Sequence, residues 1–553
     1  MGIQESELYR GIIGPDEEDR REFNDPDRAP TLLDKFTNHF NSHKKEYIVY
    51  SSAVVSAAVV VPVTVNAEVG PQLAYLVMAG DSLASIAQRV GVTVEQLVQY
   101  NQNKYPSLAE NPNDISTGWE LSVSQSPSQT VEAVVIPPVS NPPEQRRIDV
   151  GKEQTTLSHE DFVSKFNEAT RNADQEKFVA DFESLMHQTA QGLVVENGEW
   201  IIPSPAYAQY FFMRDSFWAL MALRDKSLSE MTVRKFKEDQ EKYSLDGHIA
   251  TALTHIPGAP EASRDRDEES TMMYVLHNLL LKRLGGEVDK ASLEKAYGFI
   301  SSHVDNGRYV TYGERRTGPA FDGANQLGTY HYWADTYRPS GRQEATPEVI
   351  AYNQGLYAVT LRALQEMGLA IDPGVLQKAE QVYAQMANPV DGVSLPLKEG
   401  SSAMDVSALV GEALSLYYFD NPLLSSEKVA ATLRHLARAY YNDGSFVGYK
   451  VISSYDGSNR PDQEFTVPSS NTSGDYQNGA SWFLYDVLAN YAGARHGVDD
   501  AVQLIIERST SSVKLSWGSH EFQSTKPTSL GASEGWRDSY GWNSAINAFV
   551  SAK

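Results

Sequence analysis

Four short clusters in this 553-residue chain set acids beside large aromatic rings. They are Arg214-Asp215-Ser216-Phe217-Trp218, Tyr332-Trp333-Ala334-Asp335, Asp475-Tyr476-Gln477-Asn478-Gly479-Ala480-Ser481-Trp482, and His520-Glu521-Phe522 with the downstream Tyr540-Gly541-Trp542. Paired carboxyls can cleave an acetal linkage: one protonates the leaving oxygen, the other activates water or attacks carbon. Aromatic faces cover the C–H surfaces of a sugar ring, and acids with nearby Asn or Arg bind its hydroxyls. Taken singly, each cluster is ordinary, and Arg214-Asp215 reads equally well as a structural ion pair. Their setting distinguishes them: each falls between helical segments, where connecting loops present side chains from a rigid scaffold.

In that scaffold, residues beyond Leu157 carry apolar side chains near i, i+3 and i+4 again and again. The pattern predicts helices over Val349 to Met367, Leu376 to Met386, Val429 to Tyr441 and Phe483 to Ala494. About a dozen helices fit this region, and strand patterns are few and short. The fold class expected is mainly α.

The order of clusters resembles the inverting (α/α)6-barrel glycosidases, the group that includes processing α-glucosidase, mannosylglycerate hydrolase, trehalase and the amylo-α-1,6-glucosidase part of glycogen-debranching enzymes. The resemblance covers most of residues 157–553 and is carried by short motifs. MRDSFWAL looks like the first barrel-helix motif. DEESTMMYVLHNLL resembles a D-x-T-x-x-(F/Y) stretch, with Glu269 where that group usually has Asp. YWAD followed by TPEVIAYNQGLYAVTLRAL is similar to the acid-bearing segment, YQNGASWF to Y-x-N-G-x-x-W, and SHEFQSTKPTSLGASEGWRDSYGWNSAINAF to the closing segment. The resemblance implies an (α/α)6 barrel with Asp335 as general acid and Glu521 as general base. It implies sugar contacts from Arg214, Asp215, Trp218, Glu269, Trp333, Glu348, Gln477, Asn478, Trp482 and Trp542, and no cofactor. Two departures bear on the leaving-group side: Phe483 stands where the Asn-Gly motif usually continues with Pro, and Glu534-Gly535-Trp536-Arg537 is inserted in the last segment.

An inverting enzyme holds its carboxyls roughly 6.5–9.5 Å apart to leave room for water. Asp335 must stay protonated, and the apolar wall of Tyr332 and Trp333 beside it disfavours its charged form. Glu521 must stay ionised, which calls for a more polar setting to which His520 or Tyr540 contributes hydrogen bonds.

Upstream, the chain reads in four further parts. Residues 1–45 form an acidic tail without apolar period, expected to be disordered. Residues 46–67 contain an uncharged run from Tyr47 to Val65 behind Lys44 and Lys45, read as a transmembrane signal-anchor or, with Val65-Asn66-Ala67 as cleavage site, a signal peptide. Either reading sends the rest of the chain out of the cytoplasm, membrane-anchored or secreted and wall-associated. Residues 73–125 show strand, turn, helix, helix and strand signals, and the blocks YLVMAGDSLASIA, VTVEQLVQYN and ISTGWELSV resemble a LysM domain. That resemblance implies a small βααβ fold binding N-acetylglucosamine polymers such as peptidoglycan, with residues 104–113 lengthening its second loop. Residues 126–155, with Pro137, Pro138, Pro142 and Pro143, read as an extended linker.

Composition narrows the partners. Lys and Arg total 47 against 72 Asp and Glu, a net charge of −25, which opposes nucleic-acid binding. The chain has no Cys, so thiol nucleophiles and disulfides are excluded. The 12 His show no metal-ligand spacing, and neither a G-x-S-x-G elbow nor a phosphate loop is present. The reading is an exported glycoside hydrolase acting on α-linked glucosides or related glycans. The alternatives are a non-catalytic glycan-binding envelope protein on a degenerate barrel, and a phosphorylase on the same fold.

Overall fold

A computed structural model describes the chain in part between residues 74 and 122, and from 156 to 551 with breaks that include 205–209, 255–267, 315–328, 335, 338–346, 437–440, 466–472 and 517–540. The expected tail, apolar segment and linker lie outside the described residues. Among the described residues no helix is long and apolar enough to cross a membrane. The chain divides into two units, within Met1–Ser140 and Asn141–Lys553.

In the first unit, strand β1 (Ala74–Leu76) pairs antiparallel with β2 (Glu120–Ser122), with Tyr75 opposite Leu121. Between them come the helical residues Leu83 and Ala87, then helices α1 (Val94–Asn101) and α2 (Ser107–Glu110). Leu83, Ala87, Leu97, Leu108 and Leu121 form its core. The stretch expected to be a longer loop therefore contains a helical turn. The physical reason is Leu108, whose full burial draws that turn onto α1.

The second unit opens with α3 (His159–Ala169) and continues, among the described residues, through twelve helices: α4 (Ala173–Gly192), α5 (Met213–Leu223), α6 (Lys226–Tyr243), α7 (Glu268–Arg283), α8 (Lys290–Ser302), α9 (Ala351–Glu366), α10 (Pro373–Gln385), α11 (Val410–Phe419), α12 (Ser426–Leu436), α13 (Phe483–Arg495), α14 (Ala501–Ser516) and α15 (Ile546–Val550). The odd-numbered helices from α5 onward pack each on the next, and α15 returns to α5, closing a ring. The even-numbered helices lie outside it, α4 on α5, α6 and α8 on α7, α10 on α9, and α12 and α14 on α13. This is the expected mainly α fold: six outer and six inner helices in an (α/α)6 arrangement.

Side-chain chemistry separates the two rings. Helix α9 is buried from Ala351 to Leu364 and α13 along its whole length, as an interior helix must be. Where α9 meets α11 the backbones approach so closely that a Cβ on Gly411 would lie 2.5 Å from Gly355 backbone atoms. Three of the outer helices, α6, α8 and α10, start on capping acids. Asp225 accepts from Leu228 N, Asp289 from Ala291 N and Ser292 N, and Asp372 from Gly374 N ahead of Pro373. The inner helices α5, α9 and α13 start instead on Phe212, Ile350 and Trp482, which offer no side-chain cap.

Helix α12 begins before the expected Val429 and is described as far as Leu436, while Tyr441 lies in a short strand opposite Phe446. Tyr441 and Asn442 pair with Phe446 and Ser445, and this strand pairing overrides the helical period there. The ends of the unit are tied together: His159 Nε2 lies 2.9 Å from the Ser551 carbonyl and His159 Nδ1 2.9 Å from Tyr491 Oη, while Leu157 N donates to the Arg495 carbonyl.

Candidate active site

The first turns of the inner helices meet one another at one end of the ring. Arg214 and Asp215 open α5, Glu269 is second in α7, Tyr352 second in α9, Tyr485 third in α13, and Trp542 stands in the 3-10 turn Gly541–Ala545 that leads into α15. The 3-10 turn Val406–Leu409, which leads into α11, contributes Ser407. Uncapped helix N-termini carry free N–H groups and partial positive charge, a favourable place for carboxylates and other acceptors.

At the centre, Arg214 Nη1 donates to Glu269 Oε2 at 3.0 Å, and the Tyr352 hydroxyl donates to Glu269 Oε1. Glu269 is fully buried. Burial opposes the charge on Arg214, but the carboxylates of Glu269 and Asp215 outweigh it and hold the guanidinium protonated. Arg214 Nε lies 4.0 Å from Asp215 Oδ2 and makes no hydrogen bond among the described residues. Burial pushes the Tyr352 hydroxyl well above the usual phenol range, and the Glu269 carboxylate pushes it further. Burial does the same to Tyr485, against the pull of Arg214. Tyr485 Oη also lacks a hydrogen-bond partner among the described residues. Such buried, unfilled donors are what a polyhydroxylated ligand supplies with partners.

Aromatic rings wall this cluster. The Arg214 guanidinium sits 5.4 Å from the Trp542 ring, which meets Trp482 edge-on at 5.4 Å. Trp482 meets Trp333 at 5.2 Å, and Tyr485 fits between Trp333 (4.4 Å) and Trp542 (5.9 Å). Trp333 is fixed by its indole N–H, which donates to Ser407 Oγ at 2.6 Å. Ser407 N in turn donates to Asp405 Oδ1 at 2.8 Å. Asp405 ends a strand paired with Ile452–Ser454, is almost fully buried, and is pushed up to about 7 by that burial.

The structure thus brings together Arg214, Asp215, Glu269, Trp333, Trp482 and Trp542. Asp335 and Glu521 lie outside the described residues. The other expected contact residues sit elsewhere in the hydrogen-bond pattern. Glu348 exchanges backbone hydrogen bonds with Thr311, and its carboxylate pairs with Lys398. Trp218 is buried one turn into α5 against Phe217. Asn478 Nδ2 donates to Asp462 Oδ1 at 2.9 Å, and the Gln477 amide engages Trp333 and Thr336.

Tyr352, Tyr485 and Asp405 were not among the residues expected from sequence. Tyr352 and Tyr485 read as ordinary apolar positions of their helices. Their signal was position rather than type: each stands in the buried first turn of an inner helix.

Residues 75–124 match the LysM domain family. No curated protein matches the chain. Among solved structures, a glycosidase is 14% identical with a TM-score of 0.45, covering 68% of this chain and 97% of its own. A GH63 mannosylglycerate hydrolase from Thermus thermophilus, solved with glucose, is 12% identical with a TM-score of 0.44, covering 66% and 99%. The same hydrolase with Tris and D-glycerate is 11% identical with a TM-score of 0.44 over 66% and 99%. Likeness at this level concerns chain path alone; the (α/α)6 arrangement rests on the helix packing itself.

Proposed function

We propose that this chain is a glycoside hydrolase whose sugar site lies where the inner-helix N-termini meet. The observation that carries the reading is the Arg214–Glu269–Tyr352 cluster walled by Trp333, Trp482, Tyr485 and Trp542. A buried carboxylate bonded to a guanidinium whose Nε makes no hydrogen bond among the described residues, beside several aromatic faces, suits a neutral ligand that is polar at its rim and apolar on its faces.

In this reading Asp335 is the general acid and Glu521 the general base, and water attacks opposite the leaving group with inversion. Arg214, Asp215 and Glu269 bind hydroxyls of the sugar being cleaved, and Trp542 and Trp482 take its faces. The substrate is an α-linked glucoside or related oligosaccharide. The LysM unit holds the enzyme on a polymer containing N-acetylglucosamine, such as peptidoglycan, and raises its local concentration there. The chain acts outside the cytoplasm, reached through the apolar run Tyr47 to Val65.

A panel of aryl glycosides and defined disaccharides tests the reading. Reducing sugar should appear without added phosphate, and proton NMR of the first-formed product should show inverted anomeric configuration. Absence of hydrolysis across α-glucosides, α-mannosides and trehalose would refute it. Fractionation of expressing cells should place the chain in membrane, wall or medium fractions.

A further inference from the structure

We propose that Gln477 is a positioning residue for the acid-bearing segment, acting through the backbone on both sides of Asp335 rather than touching the sugar. The inference rests on the hydrolase reading above. Gln477 is almost fully buried. Its Oε1 accepts from Thr336 N at 2.9 Å and from the Thr336 hydroxyl, and its Nε2 donates to the Trp333 carbonyl at 3.4 Å. One side-chain amide therefore ties positions 333 and 336, which lie more than 140 residues away in sequence.

Other contacts hold the described residues of that segment. Tyr337 N donates to the Ala334 carbonyl at 3.1 Å, and Tyr337 bridges to Phe465. Trp333 is pinned at its indole by Ser407 and packed against Trp482 and Tyr485. Position 335 thus has both chain neighbours fixed.

Gln477 itself is held in a defined place. Asn478 N donates to the Asp475 carbonyl at 2.9 Å, Gly474 N to the Asn478 carbonyl at 2.8 Å, and Trp482 Nε1 to the Tyr476 carbonyl at 3.0 Å. Tyr476, the preceding residue, adopts a left-handed backbone with φ of 41°, uncommon for a bulky side chain. Such strain persists only where surrounding contacts over-determine it. Here the strained turn delivers the amide to Trp333 and Thr336.

An acid displaced by about 1 Å loses on the order of 100-fold in rate. The test uses the full-length chain and an aryl glycoside that the wild type hydrolyses. Gln477→Leu should lower kcat roughly 10- to 100-fold with KM changed less than about 3-fold. Gln477→Glu keeps the oxygen that accepts from Thr336 and loses only the donor to the Trp333 carbonyl, so kcat should lie within about 5-fold of wild type. Its added negative charge beside the acid should move the basic limb of the pH profile upward. Thr336→Val should lower kcat as well, and combining it with Gln477→Leu should add little, because both remove one interaction. If Gln477→Leu fails to fold by near-UV circular dichroism, Gln477→Glu and Thr336→Val decide the matter.

A raised KM with unchanged kcat would make Gln477 a sugar contact and overturn the proposal. So would an unaltered kcat in Gln477→Leu, in an enzyme that Asp335→Asn inactivates. If the wild type hydrolyses nothing, the hydrolase reading falls first and this assignment falls with it.

Discussion

Arg214 and Glu269, 55 residues apart, join the first turns of two adjacent inner helices through a 3.0 Å charge-assisted hydrogen bond. Glu269 has no exposure to water, so its charge depends on Arg214 and on the Tyr352 hydroxyl. Removing the guanidinium in Arg214→Met takes from this buried carboxylate the cation hydrogen-bonded to its Oε2 and leaves the Tyr352 hydroxyl in place. The expected loss is about 3–5 kcal/mol of unfolding free energy. Urea denaturation should show it, and Arg214→Met with Glu269→Leu should recover most of the loss.

The proposed acid and base carry a separate expectation. Asp335→Asn and Glu521→Gln each remove a proton donor or acceptor while keeping side-chain shape. Turnover of an aryl glycoside should fall by at least about 100-fold in each, the scale of acid–base catalysis. Melting temperatures should stay within a few degrees of wild type. Full activity in both variants would remove the two residues from the mechanism.

His277 predicts sensitivity to acid. It sits on α7 beside Phe217, fully buried, with neither ring nitrogen hydrogen-bonded among the described residues. Burial lowers it from 6.5 to about 3. Between those values the unfolded chain takes up a proton that the folded one refuses, so stability falls as pH drops below 6.5. The slope is about 1.4 kcal/mol per pH unit for one such group. His277→Leu should remove it, seen as a shallower dependence of the urea midpoint on pH between about 4 and 6.5.

Asp405 predicts the opposite sign. Burial raises its carboxyl from 3.8 to about 7, so the folded state holds a proton that the unfolded chain releases. Its contribution is fully present below about pH 4 and is lost as pH rises through about 7. Asp405→Asn keeps the oxygen that accepts from Ser407 N and cannot ionise. The variant should therefore gain stability relative to wild type on going from about pH 5 to about pH 8, measured as the difference in urea midpoints. A difference independent of pH would show that Asp405 does not titrate in this range.

Much of this architecture was legible in the residues. The helical period gave α9, α10 and α13 nearly to their ends, because apolar spacing there coincides with burial. The clusters around Arg214, Trp333, Trp482 and Trp542 were visible as acids and tryptophans, and the ring brings them together. Less legible was the division of labour among them. Glu348 has the type of a hydroxyl-binding acid; that its carboxylate also pairs with Lys398, 50 residues away, leaves no trace in sequence spacing. Tyr352 and Tyr485 were hidden for a related reason. A tyrosine buried in an inner helix has the same periodicity whether its hydroxyl meets hydrocarbon or a carboxylate.

The contact between His159 and Ser551 has a topological consequence. It brings α3, which precedes the ring, within hydrogen-bonding distance of the residue that follows α15, so the hairpins form a cycle without an obligatory beginning. A circularly permuted chain, linked across that contact and opened at an exposed loop between outer and inner helices, would leave every inner helix with the same two neighbours. The proposed activity would then survive relocation of the break point, and only cuts that separate a first turn from its ring partners would extinguish it.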